Sequence, residues 1–151
     1  MNRFWVILIL IAAGIFLIVQ VQLSRPEIEA ERVIKEWEAA MKSDVYGGKK
    51  PEETLKMFVG ALSAGDIEKA GQFFLLDEKG GRGDWPSQLA IAKKEGKLTA
   101  IIELIGGAKP ALEEITHDGD FKFAIYENGA VAGFINMELN KFSDVWKIES
   151  L

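Results

Sequence analysis

The chain has 151 residues, a formal net charge of −5, a pI near 5.0 and no cysteine. The acidic balance argues against a nucleic-acid partner, which needs a basic face, and against docking of the polar part of the chain on anionic lipid. Without cysteine there can be no disulfide, zinc thiolate, cysteine nucleophile or lipoprotein anchor. The residues show no catalytic constellation, metal-ligand cluster or phosphate loop, so no cofactor is expected.

Met1-Asn2-Arg3 is a short, positively charged head, and Phe4 to Leu23 reads FWVILILIAAGIFLIVQVQL. A bilayer core of about 30 Å takes about twenty apolar residues in a helix, and a run apolar on all faces suits a membrane or a very large core. This chain cannot build such a core. Residues 4–23 are therefore expected to be an uncleaved transmembrane signal anchor, with Phe4, Trp5, Leu10, Phe16 and Leu23 among its lipid-facing residues. Trp5 is placed for the headgroup zone. A cleaved signal peptide would need a shorter apolar core and a small-x-small site near its end, where this run is bulky. Counted as Lys and Arg alone, Arg3 against Arg25, Arg32 and Lys35 does not favour an N-terminus inside. A minimal head before a long hydrophilic tail nonetheless reads as a cytoplasmic tail at residues 1–3 and an exported remainder.

Residues 24–50 read as a helical stalk and linker. Pro26 suits a first helical turn, and Glu31–Lys35, Arg32–Glu36 and Glu38–Lys42 are spaced i,i+4. Ala30, Ile34, Trp37 and Met41 form an apolar stripe, expected either to pack on the chain's own domain or to pair with a second copy. Ser43 to Lys50, with Gly47-Gly48, reads as the loop that ends the stalk.

Residues 51–151 read as one α+β domain. Pro51, Glu52 and Glu53 open a helix with Leu55, Phe58, Val59 and Leu62 on one face. Gly65 is expected as its left-handed cap, and Asp66 as the cap of a second helix containing Gly71, where close packing is expected. Asp77 to Gly83 reads as a flexible loop. Asp84 and Pro86 mark a third helix with Trp85, Leu89 and Ala92 on its face, and Gly96 stops it. Leu98, Ile101, Ile102 and Ile105 fit a fourth helix, with strand as the alternative. Leu112 to His117 is a candidate strand. Beyond it Phe121, Phe123 and Ile125 alternate with polar or small residues, and Asn128-Gly129 is a strong hairpin signal. Val131, Ile135, Met137 and Leu139 are expected on one face of the next strand, and Trp146 and Ile148 inward on the last. Helices followed by a four-stranded antiparallel meander make an α+β fold with helices on one sheet face.

Pro51 to Phe74, PEETLKMFVGALSAGDIEKAGQFF, resembles the opening of the nuclear transport factor 2-like superfamily, the cone-shaped fold shared with ketosteroid isomerases. The likeness lies in an amphipathic helix, then Ala61-Leu62 and Gly65-Asp66, then a second helix with Ala70 and Phe74. Trp146-Lys147-Ile148 is similar to the closing strand of small exported members of unknown function. The resemblance implies a curved sheet wrapped around helices and a pocket. Isomerase members use a carboxylate base with a tyrosine or protonated acid, and dehydratase members use His with Asp. None of these roles maps onto a residue here.

Asp66, His117, Asp120 and Tyr126 are the candidate pocket residues. His117 with Asp118 and Asp120 is explained by turn composition. Tyr126 is an oxyanion donor only if its hydroxyl faces the pocket. Arg82-Gly83-Asp84 spells an adhesion tripeptide, but so short a motif recurs by chance, and Asp84 is expected to cap a helix. The expected function is a single-pass, membrane-anchored extracytoplasmic module of the cell envelope, non-catalytic, binding a protein or a small apolar ligand. The alternatives are a scaffold subunit of an envelope or secretion assembly, with an envelope protein or a second copy as partner, and an enzyme that uses the pocket.

Overall fold

The computed structural model describes residues 29–111 and 118–151. The anchor at residues 4–23, the strand at Leu112 to His117 and His117 itself lie outside the described residues. No helix among the described residues is long and apolar enough to cross a membrane.

The chain divides into two compact units at Ala39/Ala40. Helix α1 occupies residues 29–43. In the first unit it carries exposed ion pairs, Glu31–Lys35 at 2.8 Å and Arg32–Glu36 at 3.6 Å, with Arg32 also on Glu29. Pairs this exposed contribute little to stability. The apolar stripe is not uniform: Ala30 and Ile34 are exposed, Trp37 is half-buried and Met41 is buried.

The second unit begins at Ala40, ahead of the Pro51 start expected from the sequence. Its helices are α2 (Pro51–Ser63), α3 (Ile67–Gly71), α4 (Trp85–Lys94) and α5 (Leu98–Gly106). Its strands are β1 (Lys109–Pro110), β2 (Asp120–Glu127), β3 (Ala130–Asn140) and β4 (Val145–Ser150), in the order β1-β2-β3-β4, all antiparallel. The chain is thus α+β, and helix is the outcome for Leu98–Gly106. Gly65 ends α2 at φ 69°, with Gly65 N–H donating to Leu62 O and Asp66 N–H to Ala61 O, the paired bonds of a Schellman cap. Asp66 then caps α3 by accepting from Lys69 N–H. A β-carbon at Gly71 would stand 3.1 Å from Pro86 Cγ, so the close packing expected there is between α3 and the start of α4. Asp84 makes no side-chain cap to α4, contrary to expectation.

Asn128 (φ 52°) and Gly129 (φ 81°) form the two-residue turn between Glu127 and Ala130, the left-handed pair that suits strand twist. The inner sheet face carries Phe121, Phe123 and Ile125 opposite Met137, Ile135 and Gly133, then Ile148 opposite Met137. Phe123, Ile135, Met137 and Ile148 join Phe58, Leu62, Phe73, Phe74 and Leu89 in the core. Val131 departs from the expected alternation. The register skips Ala132, so this bulge turns Val131 to the outer face beside Tyr126, half exposed. A second bulge skips Glu149.

The outer edge of β4 is covered without a further strand. Trp146 N–H donates to Gly48 O, Ile148 N–H to Phe73 O, and Ile148 O accepts from Leu75 N–H. Phe74 pairs in parallel with Ile148. An open edge invites pairing with another chain, and here the segment before α2 and the one after α3 occupy it.

Candidate functional site

Helix α4 places Trp85, Gln88, Leu89 and Ala92 at i, i+3, i+4 and i+7, so all four share one face. Helix α5 places Ile101, Leu104 and Ile105 in the same way. The two faces meet over Ile125 of β2 and Leu151 and leave a cleft of about 340 Å³. In its wall the Trp85 indole stacks on Phe74, with centroids 5.3 Å apart and planes within 8°, and Phe74 meets Phe58 edge-on at 5.5 Å. Among the described lining residues Gln88 is the one amide, and none carries an ionisable side chain. A second cleft of about 330 Å³ lies between α2, α5 and β2, lined by Leu55, Val59, Ile105 and Phe123 with Glu52 and Lys56 at its side. Ile105, only 3% exposed, belongs to both.

On the outer sheet face lies a buried charge cluster. In the register Lys147 pairs with Glu138, on the side opposite Ile148. Its side chain is fully buried, and Nζ donates to Asp44 Oδ1 at 2.9 Å, Tyr46 O at 2.7 Å and Gln72 O at 2.6 Å. Arg82 donates to both Asp44 oxygens, at 3.1 and 3.2 Å, to Gln72 O at 2.9 Å and to Phe74 O. One carboxylate thus serves two cations, and backbone carbonyls accept from both. Burial lowers the Lys147 pKa to about 8; the Asp44 hydrogen bond and charge oppose this, and Arg82 adds to it. Glu138 is raised, first by burial and then by Glu149 and Asp120, against Lys141.

Further bonds fix the segment read as a linker. Asn140 Nδ2 donates to Met41 O, Ser143 Oγ to Asp44 O, and Lys49 Nζ to Asp144. Thr54 Oγ1 accepts from Gly48 N–H and donates to Trp146 O. A β-carbon on Gly47 would come within 2.4 Å of Trp146 O, so the glycine there serves close approach rather than freedom. The loop after α3 is also organised: Asp77 Oδ1 accepts from Lys79 and Gly81 N–H. Arg82, in the adhesion-like tripeptide, is committed to the interior.

Three of the four candidate pocket residues lie among the described residues, one before α3 and two on β2. Asp66 caps α3, Asp120 opens β2, and Tyr126 lies near its far end on the outer face, 44% exposed, with Lys109 over its ring. None of these three lines the apolar cleft. Among the described residues no group of three or more His, Asp or Glu is placed to hold a metal. Sequence reasoning found Trp85, Leu89, Ala92, Ile101 and Ile105 as helix faces but not as walls of one cleft, because pairing two helices across a gap is a tertiary fact. It did not bring Asp44, Arg82 and Lys147 together as one cluster. No protein-family model, curated protein or solved structure matches this chain.

Proposed function

We propose that this chain is a single-pass, membrane-anchored extracytoplasmic module that binds a small apolar molecule and does no chemistry on it. The observation that carries the reading is the cleft between α4, α5 and β2, whose described lining is apolar apart from one amide and carries no acidic or basic side chain. A concave, mostly apolar site with few polar groups is the usual form of a small-ligand pocket, and catalysis of proton transfer would need a titratable group within reach. The anchor rests on the composition of Phe4 to Leu23. The likeness of Pro51 to Phe74 to the nuclear transport factor 2-like superfamily agrees with helices laid over an antiparallel sheet with a pocket between them. The test is the full chain in lipid vesicles with an uncharged apolar photoprobe, the labelled residues being mapped. Labelling of the α4 and α5 lining, lost in Ala92→Trp, is the expected result. Labelling confined to Phe4 to Leu23 would overturn the reading.

A scaffold role has its own observation. Val45 and Tyr46 are exposed, and the Ser143–Asp44 hydrogen bond brings their loop beside Phe142, which is 40% exposed. Neighbouring exposed apolar side chains mark interaction surfaces. In this cysteine-free chain, Val45→Cys makes a clean cross-linking site. A cross-linked pair or partner in the membrane would support the scaffold, and a chain that stays single would remove it.

A further inference from the structure

Resting on the reading of the cleft as an apolar-ligand site, we propose that its ligand is a single unbranched hydrocarbon chain with one hydrogen-bonding head. Gln88 meets the head, and Ile105 stops the tail.

The first argument is shape. Helices α4 and α5 both supply walls, and the α4 wall runs from Trp85 to Ala92, about 10 Å at 1.5 Å per residue. A cleft of about 340 Å³ spread along that wall is longer than it is wide. If a methylene needs roughly the ~30 Å³ that a water molecule occupies in the liquid, the cleft takes on the order of ten carbons. One face of the Trp85 indole is already covered by Phe74, so the ring is a fixed wall of the cleft.

The second argument is charge. An anionic ligand buried here would find no cationic side chain among the described lining residues, and an unpaired buried charge is strongly disfavoured. Gln88 is exposed at the solvent side and its amide both donates and accepts. A hydroxyl or ester head is satisfied there while the tail lies among Leu89, Ile101 and Leu104.

The third argument is Ile105. It is buried and forms part of both clefts, so the second space begins where the first ends. A tail longer than the first cleft meets this side chain. Beyond it the apolar surfaces of Leu55, Val59 and Phe123 would receive a chain, were the barrier shortened. A compact ring ligand would draw no benefit from that second space.

The experiment uses the full chain in lipid vesicles and straight-chain 1-alkanols bearing a terminal diazirine. A ring alcohol of equal carbon count and a phospholipid with the same diazirine on its acyl chain complete the set. At subsaturating probe, labelling of the α5 lining should rise about fourfold per methylene, the worth of burying one such group, and level off at on the order of ten carbons. In Ile105→Ala the plateau should move to longer chains, and label should appear on Leu55 and Val59; Ile105→Val should do the same to a smaller extent. Gln88→Leu, at an exposed position that does not threaten folding, should weaken labelling by the alkanol but not by the matching alkane. Labelling by the phospholipid means that the chain comes from the bilayer, and labelling by the alkanol alone means a free molecule; both support a chain ligand. If the cleft is labelled equally by the ring alcohol, or the plateau ignores Ile105, the chain proposal fails and the apolar-ligand reading stands. If no probe labels the cleft, that reading fails as well.

Discussion

Lys147 Nζ sits 2.9 Å from Asp44 Oδ1, with both side chains closed off from solvent and Arg82 on the same carboxylate. The relationship is unequal. Removing Lys147 leaves Asp44 matched one to one by Arg82, whereas removing the Asp44 charge leaves a buried lysine and a part-buried arginine on carbonyl oxygens alone. Breaking a buried pair so that charge is left uncompensated costs about 3–5 kcal/mol, while replacing buried ions with apolar groups of like volume is often neutral. Asp44→Asn should therefore destabilise the chain by about 3–5 kcal/mol and Lys147→Met by less than about 1.5 kcal/mol. Urea denaturation of the two variants checks the order. Equal losses would mean that the cluster does not divide its charge in this way.

The same lysine sets a pH dependence. Its pKa is lowered from 10.5 to about 8 in the folded chain. Below pH 8 the ammonium is charged in both folded and unfolded states, and its burial cost is fully present. Between about 8 and 10.5 the folded state has released the proton and the unfolded state still holds it, so stability rises with pH across that window. The rise attributable to this group is about 3 kcal/mol. Other groups titrate there too, so the quantity to measure is the difference between the native chain and Lys147→Met, tracked by denaturation from pH 7 upward. A difference that stays constant would refute the assignment.

Much of the fold was legible where local chemistry decides it. Gly65-Asp66 predicted both a left-handed cap and an N-cap, and Asn128-Gly129 predicted its hairpin turn, because each depends on a few adjacent dihedrals and one or two hydrogen bonds. Lys147 was illegible for the opposite reason. Between Trp146 and Ile148 it occupies the outward position of an alternating strand, which reads as solvent-facing unless something covers that face. The cover is the segment around Asp44, about a hundred residues earlier in the chain. That segment, rich in Gly and Lys, has the composition of a linker, and its bonds to Asn140, Ser143 and Trp146 leave no local trace. The cleft was half legible: each helix face could be read, and the gap between the faces could not.

Period-two reasoning also put Val131 and Ile135 on one face, and the Ala132 bulge separates them. Ile135 is fully buried and Val131 is 50% exposed. Ile135→Ala should cost about 2–5 kcal/mol through lost burial and the cavity left behind. Val131→Ala should cost under about 0.5 kcal/mol, as surface changes usually do. Thermal midpoints of the two variants decide it, and a large loss at Val131 would place that side chain in a core.

Thr54 tests how the segment before α2 is held. The residue is fully buried within α2, and its hydroxyl bonds outside the helix. Its Oγ1 lies 2.7 Å from Gly48 N and 2.9 Å from Trp146 O, and so joins the segment to β4 through one atom. Gly48 O accepts from Trp146 N–H in turn, which makes the three residues a closed set of hydrogen bonds. Thr54→Val keeps the volume and removes both hydroxyl bonds, leaving a donor and an acceptor without a side-chain partner. An unsatisfied buried group costs about 1–3 kcal/mol, so a loss of about 2–4 kcal/mol is expected. Thr54→Ser keeps both bonds and deletes one methyl, worth about 1 kcal/mol. Valine, the better match in shape, should therefore be the worse substitute. Hydrogen exchange at the Gly48 amide distinguishes local from global effects: it should speed up in Thr54→Val under native conditions and stay slow in Thr54→Ser. If serine proves as damaging as valine, methyl packing rather than the hydroxyl holds the segment in place.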